Sequence, residues 1–343
     1  MQAARYLGNA SFDVVEGNSD APAADEATVA VGYVGICGTD MHIYHGAMDH
    51  RVSCPQVIGH EMAGVVRALG DGVDGYSVGD KVVVRPLDYC GDCPACNRGH
   101  SHICHNLKFM GIDSPGALQS SWTVKSRTLH KLPDHVSLRE GALVEPLSVA
   151  VHDVSRARVS AGEDVVVLGG GPIGQLIAAV CRAEGARVLI SEINEQRRQF
   201  ATEQGIETFD PSKGDLIKKV MEWTEDKGAD VVFEVAGVKK TVEVMTEIAA
   251  VRGRICIVAI HGEAPPVDLF KFFWREIDMM GARVYTAEDF DRAIELIATG
   301  AIDAGAFITE EFPIDKIGDA FENLATNTAS MKSLIVVEGA IDQ

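Results

Sequence analysis

The stretch Asp164-Val165-Val166-Val167-Leu168-Gly169-Gly170-Gly171-Pro172-Ile173-Gly174 decides the fold of this chain. Val165 to Leu168 form an apolar run rich in β-branched valine, which with Asp164 has the length of a buried strand. Glycines at 169, 171 and 174 follow at once, and an apolar helical pattern then runs to about Ala183. A lone Gly-x-Gly-x-x-Gly is a poor signal. Between a strand and a helix, with an acid, Glu192, eighteen residues beyond Gly174, it reads as the phosphate turn of a dinucleotide site. Gly169 permits the tight turn and Gly171 lets a pyrophosphate approach the backbone. Pro172 and Ile173 open the helix whose N-terminus faces the phosphates, and Gly174 lets helix and strand pack closely. Glu192 is expected to accept hydrogen bonds from ribose hydroxyls and to repel a 2′-phosphate, which favours NAD over NADP. Arg197 and Arg198 oppose that inference, because a cation there could accommodate the phosphate; their alternative reading is exposed helix-face charge.

Downstream of this turn, strand and helix alternate. Arg187–Ser191, Asp230–Val235 and Gly253–Ile260 read as strands, with helices near Lys213–Glu225 and Lys239–Ala250. This pattern predicts a doubly wound parallel sheet. Helices near Glu288–Ala298 and Asp315–Ala325 and a closing strand, Ser333–Val337, follow, with no chemistry of their own. Upstream, Thr28–Ile36, Ala63–Leu69, Lys81–Val84 and Ser121–Val124 predict short strands of an irregular β-domain.

Two groups of metal-ligand residues lie in that β-domain. In the first, Gly35-Ile36-Cys37-Gly38-Thr39-Asp40-Met41-His42 precedes Gly59-His60-Glu61 by about one hairpin. A thiolate, an imidazole and a carboxylate are good Zn²⁺ ligands, and three of them with an open position make a catalytic site. In the second, Cys90, Cys93, Cys96 and Cys104 follow the pattern C-x2-C-x2-C-x7-C. Four thiolates leave no open position, so this zinc is structural. An iron–sulfur cluster is the rival reading, but a ferredoxin run brings its fourth Cys sooner and follows it with Pro, where His105 stands here. Cys54, Cys181 and Cys256 are expected to be plain buried thiols. Further on, Glu145 to His152 opens a helical stretch. Glu145 precedes Pro146, so an extended backbone and a side chain facing a cleft are expected there, the alternative being an exposed carboxylate at a helix start, favoured by the dipole. His152 reads as a core or helix-face residue.

The chain has 343 residues, enough for two domains, with 46% apolar and 24% charged residues, as in a globular enzyme. A net charge of −19 argues against a nucleic-acid partner, which needs clustered cations. Met1–Asp20 has neither a basic start nor an apolar block, and the longest uncharged run, Val165–Cys181, is broken by glycines. No membrane association and a cytoplasmic location are therefore expected. Metal spacing of cysteines fits that reducing compartment.

Together, these motifs resemble the zinc-dependent medium-chain dehydrogenases in order and spacing over nearly the whole chain. Glu145-Pro146-Leu147-Ser148-Val149 is similar to the polyol (sorbitol), butanediol and threonine dehydrogenase branch. The resemblance implies an α/β fold: a GroES-like catalytic domain over residues 1–150, a Rossmann NAD-binding domain over 151–285, and a segment, 286–343, returning to the catalytic domain. It implies two zinc ions. Cys37 and His60 hold the catalytic one, with Glu61 and Glu145 competing for the third place, directly or through water. Thr39 then resembles the hydroxyl that takes the substrate proton and His42 its relay to solvent. Glu192 with Arg197 resembles a ribose-binding pair, and the oligomer is expected to be a homotetramer or homodimer. Phe270, Phe272, Phe273 and Trp274, with Ile255–Ile260, could form its interface or simply be core. The expected reaction is NAD-dependent oxidation of a secondary alcohol, a polyol or sugar alcohol, to a ketone; threonine and 2,3-butanediol are the alternatives. Threonine dehydrogenases carry His where Leu87 stands, and sorbitol dehydrogenases carry Arg where Val284 stands. A lyase-type relative using NAD transiently and a non-enzymatic, crystallin-like relative are the rival classes, and the intact Thr39, His42 and ligand set disfavour the latter.

Overall fold

The computed structural model describes residues 2–17 and 21–337. Two compact units divide the chain: Met1–Pro146 with Thr286–Gln343, and Leu147–Tyr285.

The first unit is built on a seven-stranded sheet in which strand Glu26–Gly35 is central. This strand pairs antiparallel with Glu61–Leu69 on one side and with Lys332–Val336 on the other. Ser121–Lys125 also pairs with it. The closing strand of the chain is thus a full member of a sheet begun about three hundred residues earlier. Val29, Val31, Val34, Met62 and Val66 are buried against this sheet, and such burial is what holds irregular β-structure together. Helix Ile317–Thr326 adds Phe321, which packs 4.7 Å from Phe12 and 5.3 Å from Tyr44.

In the second unit, six parallel strands lie in the order Glu207–Phe209, Arg187–Ser191, Asp164–Leu168, Ala229–Glu234, Ala249–Ile257, Asp278–Gly281. That is the doubly wound order 3-2-1-4-5-6 of the unit's own strands. Val165 to Leu168 are fully buried, as a strand covered on both faces requires.

Several local expectations change. Helix Val144–Ala157 begins before Glu145, so that residue is helical rather than extended. Pro146 sits in the first turn, where its missing N–H costs nothing. Helix Leu269–Arg275 and edge strand Asp278–Gly281 were not foreseen. The aromatics on that helix divide: Phe270, Phe273 and Trp274 are exposed, whereas Phe272 is half-buried and packs against the core of the parallel sheet. Ile255 and Cys256 are buried in that sheet and Ile260 is exposed. Cys181 and Cys256 are buried thiols, but Cys54 is exposed.

Candidate metal centres and coenzyme turn

Strand register explains why Cys37 and His60-Glu61 converge. Gly35 pairs with Glu61 and Val34 with Met62, so the residues just past the end of one strand meet those opening the other. Gly35 has a specific reason to lack a side chain, since a Cβ there would overlap Glu61 Oε2. Ligand atoms of Cys37, His60 and Glu61 all lie within 4.8 Å of one another. Cys37 also caps helix Gly38–Tyr44: its sulfur accepts from the Thr39 N–H at 3.5 Å, and its own N–H donates to Asp40 Oδ2 at 2.9 Å. A helix of seven residues has little stability alone. Packing of Tyr44 on Phe321 and a 2.9 Å bond from the Tyr6 hydroxyl to the Ile43 carbonyl fix it.

The centre is buried and rich in acids. Asp40 Oδ1 lies 3.7 Å from His60 Nδ1, too far for a hydrogen bond, and neither atom has another partner. Burial pulls the basicity of His60 down, but Asp40, Cys37 and Glu145 outweigh it and hold the imidazole well above its usual range. Burial likewise pushes the Asp40 carboxyl up. A buried imidazole drawn towards a positive charge among acids marks a pocket that fits a cation, and its S, N and O donors suit zinc. Glu145 is also buried and lies outside the set of three, yet its charge bears on His60. Thr39 is half-buried and His42, three residues on along the same helix face, is exposed.

Among the residues given roles at this centre, the sequence reading omitted Asp40 and Lys332. Lys332 Nζ lies 2.7 Å from Glu61 Oε2, in a buried ion pair. That contradicts the expectation of a closing segment without chemistry. Asp40 stood inside the quoted motif. For Lys332 the only signal was a cation opening an apolar strand.

The four-cysteine lobe stands apart from this centre in the same unit. Sulfurs of Cys93 and Cys96 lie 3.5 Å apart, Cys93 and Cys104 3.7 Å, and Cys104 and Cys90 3.4 Å. Tetrahedral zinc with bonds of about 2.3 Å needs sulfurs about 3.8 Å apart, so the lobe fits that metal. Backbone N–H groups of Cys96 and His105 pull Cys93 down to about 6, while burial and the neighbouring Cys93 push Cys96 up to about 12. The His105 and Asn106 N–H groups point at the sulfurs of Cys93 and Cys104, at 3.4 and 3.3 Å.

In the second unit, Gly169 has φ +112 and leads into helix Pro172–Ala183, whose N-cap is Gly171. A Cβ at Gly174 would overlap the Gly169 carbonyl, whereas one at Gly171 would meet only Arg197, 3.6 Å away. The turn is therefore tight on its inner side and open where a phosphate would approach. Glu192 accepts from the Gly170 N–H and from the Asn194 N–H, each at 2.7 Å. The two arginines differ. Arg198 donates to the Glu192 and Ile193 carbonyls and pairs with Asp210 at 3.1 Å, so it is structural. Arg197 is half-buried beside the turn, and its Nε has no partner.

Comparison with known proteins agrees with this geometry. Residues 23–134 match the alcohol dehydrogenase GroES-like domain, and residues 172–299 match the zinc-binding dehydrogenase domain. A 2-dehydro-3-deoxy-L-galactonate 5-dehydrogenase from Pseudoalteromonas atlantica is 62% identical over 335 residues, covering 98% of each chain. An (R,R)-butanediol dehydrogenase from Neisseria gonorrhoeae is 33% identical, covering 98% of this chain and 99% of its own. A Sinorhizobium meliloti protein described as a zinc-binding dehydrogenase, solved with NADP bound, superposes with a TM-score of 0.92 at 31% identity, covering 98% of each chain.

Proposed function

Because the chain belongs to the zinc-dependent medium-chain alcohol dehydrogenase family, we propose that it oxidises one secondary hydroxyl of a 2-oxo-3-deoxy sugar acid to a ketone, with NAD as acceptor. The chain is an oxidoreductase of secondary alcohols, so only the substrate within that class is in question. The observation that carries the choice is the 62% identity, over nearly all of both chains, to a relative described as acting at carbon 5 of 2-dehydro-3-deoxy-L-galactonate. This narrows the expected polyol to a sugar bearing a carboxylate.

In this reading, Cys37 and His60 hold the catalytic zinc, with Glu61 or Glu145 completing the set, and Cys90, Cys93, Cys96 and Cys104 hold the structural one. Asp40 faces His60 Nδ1, which leaves Nε2 for the metal. Zinc bound there supplies a Lewis acid that polarises the substrate hydroxyl. Thr39 Oγ1 accepts the hydroxyl proton as it gives up its own, and His42 passes a proton on to solvent. NAD on the turn Gly169, Gly171, Pro172, Ile173 and Gly174 supplies the hydride acceptor, and Glu192 and Arg197 take the ribose.

The division of labour follows the motifs: residues 1–150 and 286–343 form the catalytic domain and 151–285 the coenzyme domain. A homo-oligomer is supported by exposed Leu269, Phe270, Phe273, Trp274 and Met279 beside the open edge strand Asp278–Gly281. Among the described residues, no helix is long and apolar enough to cross a membrane. Eight free cysteines favour a reducing, cytoplasmic setting.

The test is NADH formation with 2-dehydro-3-deoxy-L-galactonate, sorbitol, 2,3-butanediol, threonine and ethanol at one pH. The sugar acid is expected to give the highest kcat/KM. Activity confined to neutral polyols or to threonine would reject the sugar-acid reading.

A further inference from the structure

The cation on the last strand is committed to a single acid. Lys332 is 5% exposed, and its ammonium donates to Glu61 Oε1 at 2.8 Å, to Glu61 Oε2 at 2.7 Å and to the Ile36 carbonyl at 3.4 Å. An ammonium has three protons, and all three are used. Sheet register fixes the arrangement, because strand Glu26–Gly35 lies between the strand of Glu61 and the strand of Lys332. Gly35, without a side chain, leaves the space in which the carboxylate turns towards the lysine. Glu61 is thereby held on both oxygens by a cation, although it lies within 4.8 Å of the ligand atoms of Cys37 and His60.

We propose that Lys332 is a positioning residue that competes with the metal for Glu61. It holds this carboxylate beside the ion as a counter-charge and keeps it from occupying the open position. The coordination of the catalytic metal is thus set by the docking of the chain's last strand. The inference rests on the reading in which Cys37 and His60 are ligands.

Cobalt(II) at this centre, with zinc retained in the four-cysteine lobe, provides the test. Four-coordinate cobalt absorbs more strongly in the visible than five-coordinate cobalt. In Lys332→Met, Glu61 is expected to join the metal: the d–d bands lose intensity, and a chelator removes the metal about tenfold more slowly, the scale of effect an outer-shell partner exerts. Release from the four-cysteine lobe is expected to be unchanged and reports the integrity of the fold. Lys332→Arg is expected to keep the wild-type spectrum. Adding Glu61→Gln to Lys332→Met is expected to restore both spectrum and release rate. A Lys332→Met spectrum and release rate equal to wild type, or faster release that Glu61→Gln does not correct, would overturn the proposal. A Cys37→Ser protein that keeps the thiolate-to-cobalt charge-transfer band would instead overturn the underlying ligand assignment.

Discussion

The preference for NAD over NADP proposed above falls to one carboxylate, Glu192. Both its oxygens accept from backbone N–H groups, Gly170 on the phosphate turn and Asn194 on the next loop, so it is fixed where a ribose would arrive. In the proposed reading, Glu192→Ala removes a charge that repels a 2′-phosphate and a partner for ribose hydroxyls. The NAD-to-NADP ratio of kcat/KM is expected to fall about tenfold, the equivalent of one good hydrogen bond to a charged group. An unchanged ratio would move the assignment to Arg197, whose Nε has no partner beside the same turn. At this scale the sequence was informative wherever chemistry depends on neighbours in the chain. The residues of the Gly-rich turn, the Cys37 motif and the four cysteines each announce themselves by spacing. Lys332 does not, because its partner lies 271 residues away and only sheet register brings the two together.

Single elements carry two more predictions. Cys93 lies at the centre of a loop with a small apolar core: Cys93, Ala95 and Cys104 are buried together, with Tyr89, Cys96 and Leu107 packed against them. Cys93→Ser is therefore expected to lower the melting temperature and release the structural zinc, because a closed metal site supplies folding free energy. Calorimetry with metal analysis reads both; a variant as stable as wild type would refute a structural role. Strand Ile308–Pro313 is tied to the closing strand partly through Glu310, which accepts from the Ser333 and Ser330 hydroxyls at 2.7 and 3.1 Å and from Asn327 Nδ2 at 2.7 Å. Burial works to raise its pKa, but these donors outweigh it and keep the carboxyl below its ordinary 4.5. A depressed carboxyl stabilises the fold above its unfolded pKa and loses that contribution as pH falls through its folded one. Glu310→Ala is expected to cost about 1–2 kcal/mol at pH 7. Denaturant titrations should show the gap from wild type closing once the pH drops below 4.5. A gap independent of pH would contradict the ionised reading. Glu145 marks where element-scale reading misled: the rule that a residue before proline is extended fails in the first turn of a helix, which tolerates proline.

For the whole molecule, hydrophobic content alone could not say whether Phe270, Phe273 and Trp274 were core or surface, since both outcomes are compatible with a short aromatic run. Their exposure next to an open sheet edge is the reason to expect association. Light scattering is expected to give a mass well above the 36.8 kDa of one chain, and Phe273→Glu with Trp274→Glu to shift it towards one chain. A wild-type mass of one chain would reject the oligomer. The parallel order of the second unit was legible because strand, glycine turn and helix follow one another directly. Return of the chain's end to the first sheet was not legible from periodicity and came only through the family resemblance.

The central claim is that one of two zinc ions, held by Cys37 and His60, drives the oxidation. Zinc content and NADH turnover of Cys37→Ser beside wild type test it most directly. The account predicts two zinc ions in the wild type. In the variant it predicts one zinc, retained NAD binding, and turnover reduced about 10³-fold, the equivalent of several kcal/mol of lost charge stabilisation. A fully active protein with a single zinc, or a Cys37→Ser variant that turns over at the wild-type rate, would contradict it.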